Sequence, residues 1–198
     1  MEVTVMDATR NPMTVISLAA GTCYGKANAD PKRVRRCIEN GHMSVAEHAS
    51  AVLRISGISR SCLAQLTRHR HASFSVMSQR YCKIGGNDWF VIPPSVIDAG
   101  EEVAFEAAME HARREYERAI AKGVRKEDAR FMLPEATKTE LVFSINMRSL
   151  QNFLSLRLDK SAQWEIRKLA EQIEQALMEM GGEWSELMAL LREVRNGD

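Results

Sequence analysis

Apolar and polar residues alternate along EVTVMD, residues 2–7, and that pattern predicts a short strand. AVLRISGIS, residues 51–59, alternates again: Ala51, Leu53 and Ile55 point one way, Val52, Arg54 and Ser56 the other. TELVFSINM, residues 139–147, sets Leu141, Phe143 and Ile145 on one side. DWFVIPP, residues 88–94, predicts one more strand, ended by its double proline. Between these runs the period lengthens to that of a helix. Asn11 and Pro12 read as the cap and first residue of a helix that closes near Gly21. Asp30, Pro31 and Gly41 repeat that grammar. Ser59 can cap a helix through RSCLAQLTRHR, after which residues 71–81 read as irregular. A long helix is predicted from Glu101 to about Lys122, with Phe105, Ala108, Met109, Ala112, Tyr116 and Ile120 on one face and Gly123 as its stop. RKEDARFMLP makes a short helix closed by Pro134. NMRSLQNFLSLR, a run with Ile166, Leu169, Ile173, Leu177 and Met180, and WSELMALLREVR complete the helices.

Helices with a few half-solvated strands predict an α/β (α+β) class, with one central sheet flanked by helices. No repeat, low-complexity stretch or linker interrupts the 198 residues, so a single domain over 1–198 is expected. Hydrophobic residues at 45% and charged residues at 27% are ordinary for a globular protein with a real core. Lys+Arg 27 against Asp+Glu 26 gives a formal net charge of +1, which argues against a nucleic-acid partner or a membrane surface. Any charge-driven recognition must be local. Cys23, Cys37, Cys62 and Cys82 form no C-x-x-C pair and read as reduced thiols. With neither a signal-like start nor a membrane-length apolar run, the expected compartment is the cytoplasm.

One local concentration stands out. RHRHASFSVMSQRY, residues 68–81, holds Arg68, His69, Arg70, His71 and Arg80 among Ser73, Ser75 and Ser78, with no acidic residue. A surface ion-pair network would mix signs. Guanidinium forks, hydroxyl donors and imidazoles that titrate near neutral pH suit a bound anion. Residue types alone leave two readings open, a phosphate or nucleotide site and a solvated basic loop. A second cluster, residues 146–157, punctuates an apolar helix with Asn146, Arg148, Asn152 and Arg157. Their spacing does not fit one helical face. They read as an anion or heterocycle site at a helix start, or as an Asn cap with surface arginines. A third, GHMSVAEH, offers His42, Glu47 and His48 as possible metal ligands, but the spacing matches no compact helical metal motif, so no metal is expected.

Taken in order, these segments resemble the flavin-dependent thymidylate synthases. That family's signature is R-H-R, seven residues, then Ser, met here by Arg68, His69, Arg70 and Ser78. The inner R-H-R-x-x-S is met by Ser73, and S-x-R-Y by Ser78, Arg80 and Tyr81. GHMSVAEH, ARFMLP, NMRSLQNFLSLR and AQWEI also look like family blocks, and the resemblance spans roughly residues 10–170. It implies conversion of dUMP to dTMP, with methylenetetrahydrofolate as one-carbon donor and FAD, reduced by NADPH, as hydride source. It also implies a mixed central sheet and homotetramers whose active sites are shared between subunits.

Carried over by position, the resemblance makes Arg68, His69 and Arg70 flavin-contacting cations, with Arg68 also reaching dUMP. Ser44, Asn146, Met147, Arg148 and Asn152 join them at the flavin. Ser78, Gln79 and Arg80 become the cradle of the dUMP phosphate, flanked by Val76 and Met77. Gln65 and Arg130 are further nucleotide contacts, Arg130 given by a neighbouring subunit. His42 stands at the mouth, where folate or NADPH would enter. Arg157 becomes the catalytic residue at the uracil edge. The other class of thymidylate synthase uses a cysteine in a Pro-Cys-His context, which none of the four cysteines has, so no cysteine is expected to be essential. Ser75 and Val76 depart from the Asn and the acidic or amide residue common there, leaving Val76 only backbone donors. Ser161 replaces a frequent His. Two other classes compete: a nucleotide- or RNA-binding module using the basic loop without catalysis, and a metal-dependent hydrolase using His42, Glu47 and His48.

Overall fold

A computed structural model describes residues 1–197. In chain order the elements are β1 (Glu2–Ala8), α1 (Pro12–Thr22), α2 (Pro31–Glu39), a 3₁₀ turn (Met43–His48), β2 (Ser50–Ser59), α3 (Arg60–Leu66) and β3 (Ala72–Val76). There follow α4 (Pro94–Asp98), α5 (Glu102–Ala121), α6 (Lys126–Ala129), a second 3₁₀ turn (Arg130–Met132), β4 (Lys138–Asn146), α7 (Met147–Arg157), α8 (Trp164–Glu179) and α9 (Gly182–Asn196). The strands form one sheet in the order β1-β2-β4-β3. The class is the expected one, but the sheet is antiparallel rather than mixed. The β2–β4 pairing shows this directly: the Met147 N–H donates to Ala49 O at one end and the Arg60 N–H to Thr137 O at the other.

Two strand expectations need correction. Residues 72–76, read as irregular, form β3. Ala72, Phe74 and Val76 are half-buried while Ser73 and Ser75 are exposed, a period of two hidden by the serines. Phe74 stacks on Phe143 with centroids 5.3 Å apart. Residues 88–94 shrink to a single bridge, Phe90 to Thr137, because Pro93 and Pro94 lack the N–H that a longer ladder needs and Pro94 instead starts α4.

The chain divides into two compact units. The first comprises Met1–Ile55, Leu66–Ser75 and the chain from Val142 onward. Its core is the predicted one: Leu53, Ile55, Phe143, Ile145, Leu150, Phe153, Leu154, Ile166, Leu169 and Ile173 are all buried. There α1 packs on α2 and α9, and α8 packs on α7, α9 and β1. Asn11 occupies the cap position of α1 but makes no side-chain cap bond. The Glu183 carboxylate at the start of α9 replaces it, accepting the Thr14 N–H at 2.9 Å and the Thr14 hydroxyl at 2.6 Å. Gly21 lies within the last turn of α1 rather than ending it. A Cβ there would meet the Arg33 guanidinium and Lys26 O at 2.5 Å each, and buried Arg33 needs that space to reach Ser17 O.

The second unit, Ser56–Gln65 with Val76–Leu141, has its own core of Ile84, Trp89, Met109, Tyr116, Ala119 and Ala129. Ser59 caps α3 as predicted, its hydroxyl accepting the Cys62 N–H at 3.0 Å. Among the described residues no helix is long and apolar enough to cross a membrane.

Candidate active site

β4 runs directly into α7, and that junction builds one wall of a cleft in the first unit. Alternation buries Phe143 and Ile145, and Asn146 then caps the helix, its side-chain oxygen accepting the Ser149 N–H at 2.9 Å. Arg148, Asn152 and Leu156 follow at four-residue spacing, so they share a stripe on the exposed side of α7. The opposite wall is Arg68, His69, Arg70 and His71, between α3 and β3, with Glu47 from the first 3₁₀ turn. The cleft encloses about 810 Å³. It gathers Asn146, Arg148, Asn152 and Arg157, which the spacing alone seemed to separate. Asn146 precedes the helix, and Arg157 leaves the stripe but reaches back with a long side chain.

His69 is not the cation expected. Its Nε2 accepts a hydrogen bond from Arg157 Nε at 2.9 Å, and its ring meets Phe153 edge-on at 4.9 Å. Burial first, and then the Arg157 charge, push the imidazole pKa down to about 4. The ring is therefore neutral near pH 7, and an accepting Nε2 places its proton on Nδ1. The cleft's positive charge comes from Arg68, Arg70, Arg148 and Arg157, and its single carboxylate, Glu47, pairs with Arg148 at 2.5 Å. This lining suits a large, partly planar anion. Arginines match phosphates, Asn152 and Asn146 offer amide contacts, and Ile145 and Leu156 offer apolar ones.

Other expected residues lie elsewhere. The Met147 side chain is fully buried in the first unit's core, leaving only its backbone near the α7 start. Ser44 and His42 are exposed in and before the 3₁₀ turn and do not line the cleft. Gln65, Val76, Met77, Ser78, Gln79, Arg80 and Arg130 belong to the second unit. There Met77 packs on the core, and Gln79 is buried with its Nε2 lacking a partner. The Ser78 hydroxyl accepts the Arg80 N–H at 3.3 Å. Arg80 Nε donates to Glu127 Oε2 at 3.1 Å, and Arg130 Nε to Glu127 O at 3.0 Å, so the two arginines share an anchor within one chain, whereas the resemblance had Arg130 given by a neighbouring subunit. Sequence reasoning missed Glu127, whose setting in RKEDAR looks like any mixed-sign helix start. It weighed Glu47 only as a metal ligand. Among the described residues no three His, Cys, Asp or Glu side chains are placed to hold a metal ion.

The family model described as "Thymidylate synthase complementing protein" matches residues 4–180. The chain is 37% identical over 186 residues to a flavin-dependent thymidylate synthase of Geobacter sulfurreducens, covering 87% of this chain and 80% of that one. The chain belongs to the flavin-dependent thymidylate synthase family. A family member from Wolinella succinogenes is 37% identical over 193 residues, covering 89% of this chain and 93% of its own. Among solved structures, the flavin-dependent thymidylate synthase of Helicobacter pylori, complexed with FAD and dUMP, superimposes with a TM-score of 0.76. It has 28% sequence identity and covers 98% of this chain and 99% of that one.

Proposed function

We propose that this flavin-dependent thymidylate synthase converts dUMP to dTMP in the cytoplasm, as a homotetramer with active sites shared between subunits. Methylenetetrahydrofolate gives the one-carbon unit, and FAD reduced by NADPH gives the hydride. The observation that carries the proposal is the single cleft uniting Arg68, His69 and Arg70 with Asn146, Arg148, Asn152 and Arg157. The lining fits FAD: Arg68, Arg70 and Arg148 would hold its phosphates, and Asn152 with the Asn146 backbone its polar edge. When bound, the flavin supplies the redox chemistry. Ser78, Gln79, Arg80 and Arg130 would take the nucleotide phosphate, with backbone groups of Val76 and Met77 beside it, and Gln79 Nε2, buried and unpartnered, suits a polar ligand there.

Arg157 does the electrostatic work. C5 of a neutral uracil is a poor nucleophile. A guanidinium at the N3–O2 edge favours the N3-deprotonated, electron-rich ring and stabilises charge as it develops. His69 assists by accepting the Nε–H without quenching the charge, because it is neutral.

The test is an absorbance spectrum of the purified chain after adding FAD and desalting. Retained flavin whose spectrum shifts with dUMP, followed by dTMP formation, is the expected result. No retained flavin in folded protein would overturn the proposal in favour of a non-catalytic nucleotide- or RNA-binding module.

A further inference from the structure

Glu127 in the second unit gathers three arginines. Its Oε2 accepts from Arg80 Nε at 3.1 Å and lies within ion-pair distance of Arg80 Nη2, also 3.1 Å, and its Oε1 pairs with Arg125 Nη1 at 2.9 Å. Its backbone carbonyl accepts from Arg130 Nε at 3.0 Å. Lys126 Nζ donates to Tyr81 O at 2.7 Å, a second tie between the 126–130 turn and the 78–82 turn. The geometry of the Arg80 contact matters more than its charge. A guanidinium has a side fork, Nε with Nη2, and an end fork, Nη1 with Nη2. Glu127 takes the side fork of Arg80 and the Nε–H of Arg130. Among the described residues no further acceptor engages the end fork of either, which leaves both for a second anion.

The pair does little for the fold. Arg80 is 53% exposed at its side chain and Glu127 29%, the setting in which an ion pair adds little stability. What it does supply is order in a long, rotamer-rich side chain before a ligand arrives.

We propose that Glu127 is a positioning residue for the nucleotide phosphate, holding Arg80 by its side fork so that its end fork, with that of Arg130 tied to the same residue, forms a two-guanidinium clamp for a phosphate monoester. The proposal rests on the dUMP function above. Glu127 is not itself a ligand of the nucleotide. Of the two clamp arginines its carboxylate orients Arg80 only; Arg130 is tied through the backbone, a contact that survives a change of the Glu127 side chain.

The test is steady-state kinetics and direct dUMP binding on the full-length, flavin-loaded enzyme carrying Glu127→Ala, Glu127→Gln, Arg80→Ala or both Ala changes. Glu127→Ala should raise the dUMP KM about tenfold, with kcat at saturating dUMP within about twofold. Glu127→Gln, whose amide oxygen can still accept the Nε–H, should recover part of the loss. With Arg80→Ala already present, Glu127→Ala should add almost nothing, because the side chain it orients is gone. Flavin retention and melting temperature should hold, the latter within about 2 °C. An unchanged KM, an effect additive with Arg80→Ala, or tighter dUMP binding from relief of competition would each overturn the positioning role while leaving the dUMP function intact. A wild-type enzyme that does not bind dUMP would overturn both.

Discussion

Two arginines of this enzyme are held in the same way by opposite kinds of partner. Arg157, in the first unit, gives its Nε–H to the neutral ring of His69 at 2.9 Å. Arg80, in the second, gives its Nε–H to the carboxylate of Glu127 at 3.1 Å. Both partners fix a guanidinium by its side. Only the carboxylate also cancels its charge. The difference matches the two tasks proposed. A phosphate arrives with its own negative charge and needs donors in the right place. A uracil ring must acquire negative charge during the reaction, so the guanidinium beside it gains from a side acceptor that carries no charge of its own. The depressed pKa of His69 belongs to the same device: the ring stays an acceptor because protonation there is costly.

The comparison can be broken most directly at Arg157. Arg157→Lys keeps a charge but loses the planar fork, so turnover should fall by about 100-fold or more while dUMP binding changes only a few-fold. Normal turnover, in a dTMP assay with dUMP saturating, would remove Arg157 from the chemistry. His69→Phe fills similar space without an acceptor. It should lower kcat by about tenfold, and His69→Gln, which can still accept from Nε, should lower it less. Equal losses in the two variants would mean that orientation of Arg157 is not what His69 contributes.

Acid sharpens the contrast further. A group whose folded pKa lies below its unfolded value contributes stability above the unfolded pKa and loses it as pH falls. For His69 that window runs from about 6.5 down to about 4. Urea unfolding of the ligand-free protein should show wild type losing more stability than His69→Gln across that range, and parallel curves would contradict the buried, neutral ring. The smallest effect belongs to Glu47, the one carboxylate in the cleft. Its ion pair with Arg148 joins side chains that are 44% and 54% exposed. Glu47→Gln should tighten FAD binding by about two- to threefold at low salt and by nothing measurable at high salt. A weakening, measured by flavin titration, would show that Glu47 orients Arg148 as Glu127 orients Arg80.

Much of this could be read from the order of residues. Periodicity placed the long α5 and the α8 stripe, because each buries one face and local spacing records it, although Ala108 and Met180, counted on those faces, are exposed. Capping chemistry found Asp30, Ser59 and Asn146 for the same reason. Family blocks drew Arg68, Asn146, Arg148, Asn152 and Arg157 together although spacing could not. What stayed hidden was set by partners far along the chain. The charge state of His69 depends on Phe153 and Arg157, and the duty of Glu127 depends on Arg80; no local pattern encodes either pairing. β3 was obscured because its outward serines look like a loop, and residues 88–94 looked like a strand because their prolines sit at the end.

The cap on α1 carries a consequence for how the chain is made. A ribosome releases α1 well before α9, with Asn11 in place and its carbonyl accepting the Val15 N–H but its side chain not bonded to the helix start. The carboxylate that serves the Thr14 N–H, Glu183, emerges 169 residues later, together with Trp184, whose indole N–H closes on Thr9 O at 2.9 Å. In the nascent chain α1 therefore waits, its end unfinished, for α9. The first unit locks only after residue 183 has been made, and a chain stopped short of it keeps this helix without its clasp.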